Sequence, residues 1–177
     1  RKHLVFRRSE EMKVLVAYDS DSGNTEKVAK AIYEELSFVE KRLLCIKEQS
    51  SAHDYDVLFL GFPVQNHSIP SGVEKFLKKL PAGKKIAFFA THGSFRGGEF
   101  AVTAFYYAMS LTAQQKVLGT FGCRGEVKPK VLEKLMKRPQ DRYWAMEAQS
   151  AAGHPDDEDL ADARKWSWWM LLKAQSL

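Results

Sequence analysis

The amino-acid sequence predicts one α/β domain, a three-layer, doubly wound fold in which helices cover both faces of a five-stranded parallel sheet. Short β-branched and apolar segments alternate with amphipathic helical segments along the 177 residues. The strand segments are almost continuously apolar, as is typical of parallel strands buried on both faces. Alternation of this kind is expected for a parallel sheet between helices, and the chain length suits one domain.

The first half of the chain contains three predicted strands and two predicted helices. In the first helix, Val28, Ile32 and Leu36 share one face and charged residues occupy the other. The predicted elements are the strands Lys13–Tyr18, Leu43–Lys47 and Val57–Phe62, and the helices Thr25–Ser37 and Ser71–Leu80.

The second half continues the pattern with two strands and three helical segments. Pro139 is expected to break the fourth predicted helix, because proline cannot donate a backbone hydrogen bond. The acidic residues that open the last segment suit the positive end of a helix dipole. The predicted elements are the strands Lys85–Ala90 and Val117–Cys123, and the helices Glu99–Gln115, Lys130–Ala148 and Asp156–Gln175.

Composition excludes several classes of protein. Hydrophobic residues make up 45% and charged residues 28%, and no apolar run approaches the roughly 20 residues of a membrane span. Cys45 and Cys123 are the two cysteines, which is too few for a disulfide framework or a metal site of their own. Residues 1–11 are charged, without the apolar stretch of a signal peptide. We therefore expect a cytoplasmic protein with no membrane partner.

The net charge of +5 is partly due to these first residues. We expect residues 1–11 to be a flexible N-terminal extension and residues 12–177 to form the domain. A nucleic-acid-binding arm requires more positive charge with interleaved aromatic residues, so no nucleic-acid partner is predicted.

The segment between the first strand and the first helix is rich in hydroxyl groups. It consists of Ser20, Asp21, Ser22, Gly23, Asn24 and Thr25. Hydroxyl donors, a glycine and the free N–H groups of a helix N-terminus suit a phosphate. The segment lacks the GK[ST] of a P-loop and the GxGxxG of a dinucleotide fold. From the residues alone it is either a helix cap or a phosphate site.

The same segment matches the flavodoxin phosphate-loop pattern [ST]-x-[ST]-G-x-T at every specified position. Further segments are similar to flavodoxins in the same order, and the resemblance runs from Met12 to about Leu172. Since no insertion interrupts the fifth strand, the chain resembles the short type. The segments are Gly61–Val64, Phe89–Ser94, Phe121–Gly125 and His154–Leu160.

The resemblance implies a sheet of order 2-1-3-4-5 and one FMN at the carboxyl ends of strands 1, 3 and 4. The phosphate is expected on Ser20–Thr25, and the isoalloxazine ring between a second and a third loop. The second loop comprises Pro63, Val64, Gln65, Asn66, His67 and Ser68. The third comprises Thr91, His92, Gly93, Ser94, Phe95, Gly97 and Gly98.

Aromatic side chains are scarce in these two loops. Flavodoxins commonly place the ring between aromatic residues, and here the available rings are His67 and Phe95. Many flavodoxins also have a glycine in the second loop. The corresponding position here is Asn66-His67, and asparagine tolerates positive φ better than most residues.

Three tryptophans lie in the last predicted helix. A helical wheel places Trp169 away from the inward face, so we expect it to be exposed, with Trp166 and Trp168 at the flanks. These residues either cover the sheet edge or offer a patch for self-association. The predicted inward face consists of Leu160, Ala163, Ser167, Met170, Leu171 and Ala174.

Three functions are compatible with the sequence, and whether the protein is an enzyme stays open. The favoured function is an electron carrier that serves a partner reductase or terminal flavoenzyme, because no catalytic triad, metal cluster or paired loop carboxylates are visible. The first alternative is an NAD(P)H-dependent FMN reductase of quinones or small molecules, with room left by the aromatic helix Glu99–Gln115. The second is a flavin-free interaction module on the same fold.

Overall fold

Five parallel strands form one sheet in the structure, a computed structural model that describes residues 12–48 and 54–177. The strand order is β2-β1-β3-β4-β5, and every neighbouring pair is parallel. The predicted fold class and order are therefore confirmed. The predicted extension at residues 1–11 lies outside the described residues. The strands are β1 Lys13–Tyr18, β2 Glu40–Cys45, β3 Val57–Pro63, β4 Lys85–His92 and β5 Lys116–Arg124.

Six α-helices surround the sheet in the described part of the chain. Helices α1 and α6 cover one face around Phe59 and Phe89, and α2 and α3 cover the other around Phe62 and Phe88. The helices are α1 Asn24–Glu35, α2 Ser71–Lys78, α3 Glu99–Ser110, α4 Pro129–Met136, α5 Arg142–Gln149 and α6 Asp157–Ser176, with 3-10 turns at Ile46–Glu48 and Pro139–Asp141. Within the described ranges, no helix has both the length and the apolarity that crossing a bilayer requires.

Two predicted element boundaries differ from the structure by three residues or more. The second strand begins at Glu40 rather than Leu43, because β2 is an edge strand whose residues alternate in burial and tolerate polar side chains. Helix α3 ends at Ser110 rather than Gln115, where the Thr112 hydroxyl bonds the Met109 carbonyl at 2.9 Å and competes with the helical pattern. The predicted break near Pro139 is confirmed, since it separates α4 from α5.

Helix α6 packs on the sheet with the inward face that the helical wheel predicted. Its first turn has a capping box between Asp156 and Asp159. Trp166 packs edge-on against Phe59 at 5.8 Å, whereas Trp169 is 57% exposed, which confirms that prediction. Self-association through this surface stays a prediction. The inward side chains Ala163, Ser167, Leu171 and Ala174 are buried, and Leu160 and Met170 are partly buried against the same core.

Gly61 allows β3 and β4 to pack closely near their carboxyl ends. It is paired in register with Phe89, whose ring lies over the glycine. A Cβ at position 61 would lie 2.1 Å from the Phe89 ring, and Phe89 is fully buried. The ring therefore fills the space that any larger residue would need.

We expect Gly61→Ala to lower the free energy of unfolding by about 1–3 kcal/mol, because the methyl group displaces a buried ring from a close-packed core. Gly72→Ala is the matched control, since a Cβ there would meet its nearest neighbour at an ordinary 3.7 Å. Urea unfolding of both variants without ligand measures the difference. Equal stabilities would show that the Phe89 ring moves aside at little cost.

Candidate functional site

Three loops meet at the carboxyl edge of the sheet, and Thr91 joins them. Its hydroxyl is hydrogen-bonded to the Thr25 hydroxyl at 2.8 Å, and both residues are buried. Its carbonyl accepts the Val64 N–H at 2.9 Å. The loops after β1, β3 and β4 are thus held together where the strand order reverses, which is where open α/β sheets generally bind ligands.

The loop after β1 leaves the N-terminus of α1 open. Gly23 is the N-cap residue with φ of 90°, and no side-chain hydrogen bond caps the helix there. The Gly23 N–H is bonded to Ser20 Oγ at 3.1 Å, and Ser22 is exposed. The first N–H groups of the helix are therefore available to an anion rather than used by a cap, which favours the phosphate interpretation over the plain cap.

Two other residues of this loop are used structurally. The Asn24 amide donates to the Glu126 carbonyl at 2.9 Å, so it binds the segment that follows β5. A Cβ at Gly125 would lie 2.8 Å from the same amide nitrogen, so the contact is close. Thr25 is committed to Thr91. The donors left facing out of the loop are Ser20, Ser22 and the backbone.

Two lysines that the sequence analysis missed lie beside this loop. Lys47 Nζ is 3.1 Å from Asp19 Oδ1 and 3.3 Å from Asp21 Oδ1. The hydrogen bond with the largely buried Asp19 raises the pKa of Lys47, which keeps the ammonium charged. Lys128 Nζ lies 3.3 Å from the Asp21 carbonyl. These cations offset the Asp21 carboxylate, which otherwise would repel an anion.

The loop after β3 is a tight turn. Gln65 and Ser68 exchange two backbone hydrogen bonds of 3.0 and 2.8 Å. Between them Asn66 and His67 have φ of 48° and 62°, the two positive values of a type I′ turn. Positive φ is uncommon for residues other than glycine, but asparagine and histidine adopt it more readily than most, so both positions suit the turn. Pro63 ends β3 and is paired in register with Thr91.

The loop after β4 is attached to helix α5. Arg124 donates to the carbonyls of Gly93 and Glu147 at 3.1 and 3.0 Å. The Phe95 N–H donates to the Glu147 carboxylate at 2.6 Å. A Cβ at Gly93 would lie 2.6 Å from Val127, so the loop also packs directly on the residues that follow β5. The same loop is also linked to α6, through Arg96 and Asp159 at 2.9 Å.

A cavity of about 380 Å³ lies between the loops after β3 and β4. Helices α3, α4 and α5 and the segment that joins α4 to α5 supply the remaining walls, which include Phe100, Leu135, Arg138 and Trp144. Six residues of the two predicted loops line it: Val64, Asn66, His67, His92, Gly93 and Ser94.

Three aromatic rings form one wall of this cavity. The centroids of His67 and Phe100 are 3.9 Å apart, and those of Phe100 and Trp144 are 5.8 Å apart. Phe95, the other ring expected from the sequence, is 55% exposed, lies under the Arg124 guanidinium and does not line the cavity. Phe100 and Trp144 were not predicted, because they lie outside the loops that the sequence pattern marks.

His92 is buried beside the cavity as a neutral imidazole. Its Nδ1 is 3.0 Å from the Ser94 carbonyl, which can only accept, so Nδ1 carries the proton. Its Nε2 has no partner among the described residues and faces Gly122, where a Cβ would lie 3.1 Å away. Burial lowers the pKa of His92, because a second proton would have no partner there.

Comparisons with known proteins agree with this architecture. Residues 15–167 match the model of the Flavodoxin domain family. The chain is similar to the flavodoxin-like domain-containing protein BilS of Clostridioides difficile (strain CD3), with 29% identity over 175 residues that cover 92% of this chain and 98% of BilS.

Two solved structures share the fold. One is a flavodoxin from the domain Archaea, with a TM-score of 0.61 and 16% identity, over 92% of this chain and 99% of that one. The other is a flavoprotein in complex with FMN from Lactobacillus acidophilus NCFM, with a TM-score of 0.50 and 18% identity, over 63% of this chain and 93% of that one.

The buried imidazole predicts a pH dependence of stability. The unfolded chain protonates position 92 near the ordinary histidine pKa of about 6.5, whereas the folded chain does so only at lower pH. The unfolded state then binds more protons, so the free energy of unfolding falls as the pH drops below about 6.5.

We expect His92→Asn to remove about 1 kcal/mol of the loss in unfolding free energy between pH 7.5 and pH 5.5. The asparagine amide can replace the Nδ1–H donor without taking up a proton. Urea unfolding of both proteins at the two pH values measures the effect. The same loss of stability in both would show that His92 titrates normally in the fold.

Proposed function

The chain belongs to the Flavodoxin domain family, and from this premise we propose that it binds FMN at the carboxyl edge of its sheet and carries electrons to a partner redox protein. The observation that carries the proposal is the joint presence of an open helix N-terminus and a cavity between the next two loops, held together by Thr91. The FMN-bound flavoprotein of the same fold supports the choice of cofactor.

The phosphate end of the proposed site fits a monoester. The N–H groups at the start of α1, with the hydroxyls of Ser20 and Ser22, are the donors that such a group needs. Lys47 and Lys128 supply positive charge from outside the loop. No metal is needed to neutralise the phosphate in this arrangement.

The cavity suits the isoalloxazine ring of FMN. Its volume of about 380 Å³ lies within the usual range of ligand pockets, near the lower limit. Val64, Leu135 and Trp144 offer apolar surface, and the turn at Asn66-His67 presents backbone polar groups at the opening. Bound FMN would supply reversible electron uptake, and the chain would supply orientation, exclusion of water and electrostatics.

The residues around the cavity favour a carrier over an enzyme. Proton transfer to a substrate requires a free acid or base in reach. His92 donates its one ring N–H, on Nδ1, to the Ser94 carbonyl, and Arg138 lies 3.7 Å from Asp141 as an ion pair. Among the described residues that line the cavity, His67 is the one exposed imidazole, and its ring lies against Phe100. The lining therefore offers one acid–base group with an open approach rather than a matched acid and base.

A reductase is the second candidate, and one observation favours it. The segment from Pro129 to Gln149 adds a wall with Arg138 and Trp144 that the loops alone do not provide. Such a wall is suited to holding a second, aromatic ligand near the flavin. Oxidation of NADPH by the purified, FMN-loaded protein with a quinone, and without any partner, would support this candidate.

We expect FMN to be retained through gel filtration and to bind at least about tenfold more tightly than riboflavin, because the phosphate contacts the N-terminus of α1. Ser20→Asp should weaken FMN by a factor of about 30, since a like charge near the phosphate costs about 2 kcal/mol, and should leave riboflavin unchanged. Flavin fluorescence titrations measure all these values.

Ser37→Asp is the matched control, because Ser37 is exposed just beyond the other end of α1. It should leave both affinities unchanged. Equal loss of FMN and riboflavin in Ser20→Asp, or absence of flavin binding altogether, would contradict the site and leave the flavin-free module.

We expect Trp144→Ala to weaken FMN about tenfold, because an aromatic contact of about 1 kcal/mol is lost together with apolar burial. Trp144→Phe should restore most of the affinity. Trp169→Ala should bind FMN as the unmodified protein does, since Trp169 is exposed on α6. In the unmodified protein, added FMN should quench part of the tryptophan fluorescence, and this part should be missing in Trp144→Phe.

A further inference from the structure

Helix α4 has an apolar face that the described structure covers only in part: Val131 is exposed, and Leu132, Leu135 and Met136 are half-buried. None of its residues is buried, although its sequence includes Val131, Leu132, Leu135 and Met136. Val131 is 42% exposed, and Met146 of α5, the helix that packs against α4, is 58% exposed. Helices of soluble proteins usually bury such a face against the core. We call Val131, Leu132, Met136 and Met146 the α4 face.

An open cavity of about 610 Å³ adjoins this face. Leu132 and Met136 form its apolar side, and Lys137 and Glu133 stand at its margin. Leu135, which lies three residues after Leu132 and therefore on the same side of the helix, lines the proposed flavin cavity. The α4 face thus continues into the wall of the flavin cavity, and a protein bound there would be close to the flavin.

Positive charge lies on the exposed side of α4, beside the α4 face. Residues 126–142 contain six basic and three acidic residues, whereas the whole chain has 27 and 22. Lys130, Lys134 and Lys137 are exposed, and in the part of the chain that the structure describes they take part in no ion pair. These ammonium groups are therefore free to meet carboxylates of another molecule.

We propose that the α4 face, with the lysines beside it, is the docking surface for the redox partner, and that this partner presents acidic residues next to an apolar patch. The proposal rests on the proposed function and names the chemistry of its partner. Transient interfaces combine an apolar centre with a polar rim, and charge complementarity sets their orientation and association rate. A second copy of this chain does not fit, because a two-fold contact would bring like-charged lysines together.

The first test is electron transfer from a strongly acidic [2Fe–2S] ferredoxin as the probe. Each reduced ferredoxin loses one electron and the flavin gains it, so two ferredoxins reduce one FMN, with protons from water. We expect the second-order rate constant, followed by stopped-flow flavin absorbance, to fall as salt is raised. At low salt, Lys134→Glu/Lys137→Glu should lower it about tenfold or more.

The control variant is Lys116→Glu/Lys165→Glu, which changes the net charge by the same amount. Both lysines are exposed, and Lys116 lies at the opposite end of β5 from the site. The control should stay within about twofold of the unmodified protein. A loss as large as that of the α4 variant would attribute the effect to net charge and overturn the proposal, as would no loss in either variant.

A second test needs no flavin and separates the two proposals. Oxidised ferredoxin is added to the 15N-labelled protein at low salt, and amide shifts are mapped. Shifts confined to α4 and the start of α5, reversed by salt, support docking even if FMN does not bind. Shifts elsewhere, such as on the exposed Tyr106 side of α3, overturn it. Equal shifts with a short DNA duplex would also overturn it, because the surface would then bind any polyanion.

Discussion

The buried contact between Thr25 and Thr91 is the constraint on which the rest of the site depends. It fixes the start of α1 to the end of β4, and the Thr91 carbonyl fixes the loop after β3 to the same point. Two hydroxyls that satisfy each other in a buried position need no water, whereas either one alone would be costly. The distance between the proposed phosphate and ring ends of the site is therefore set by the sheet.

The segment after β5 contacts the first and third loops and forms part of the cavity wall. Its backbone accepts from Asn24 at the first loop, and its Glu147 accepts from Phe95 at the third. It also supplies Trp144 to the cavity wall and the lysines to the surface beside it. The proposed ligand site and the proposed docking surface thus share one segment of the chain.

The fold was more predictable than the site. Apolar runs such as Lys13–Tyr18 identify buried strands directly, and the family pattern supplied the strand order. The positive φ of Asn66 follows from local chemistry and could be anticipated. Trp144 and Lys128 could not, because their positions depend on how the segment after β5 packs against loops that are distant in sequence. Phe95 was predicted to contact the flavin because it lies in the third loop, but its ring packs against the Arg124 guanidinium instead.

No side chain of α4 is fully buried, so residues on the proposed docking surface can change during evolution with little effect on the fold. Substitutions on an exposed helix change stability by only a few tenths of a kcal/mol, whereas those beneath the sheet loops are constrained by packing. Selection can therefore redesign the helix for a new donor or acceptor without first compensating a loss of folding. Relatives of this chain are expected to keep the threonine pair and the glycines at the strand ends, and to diverge most at α4.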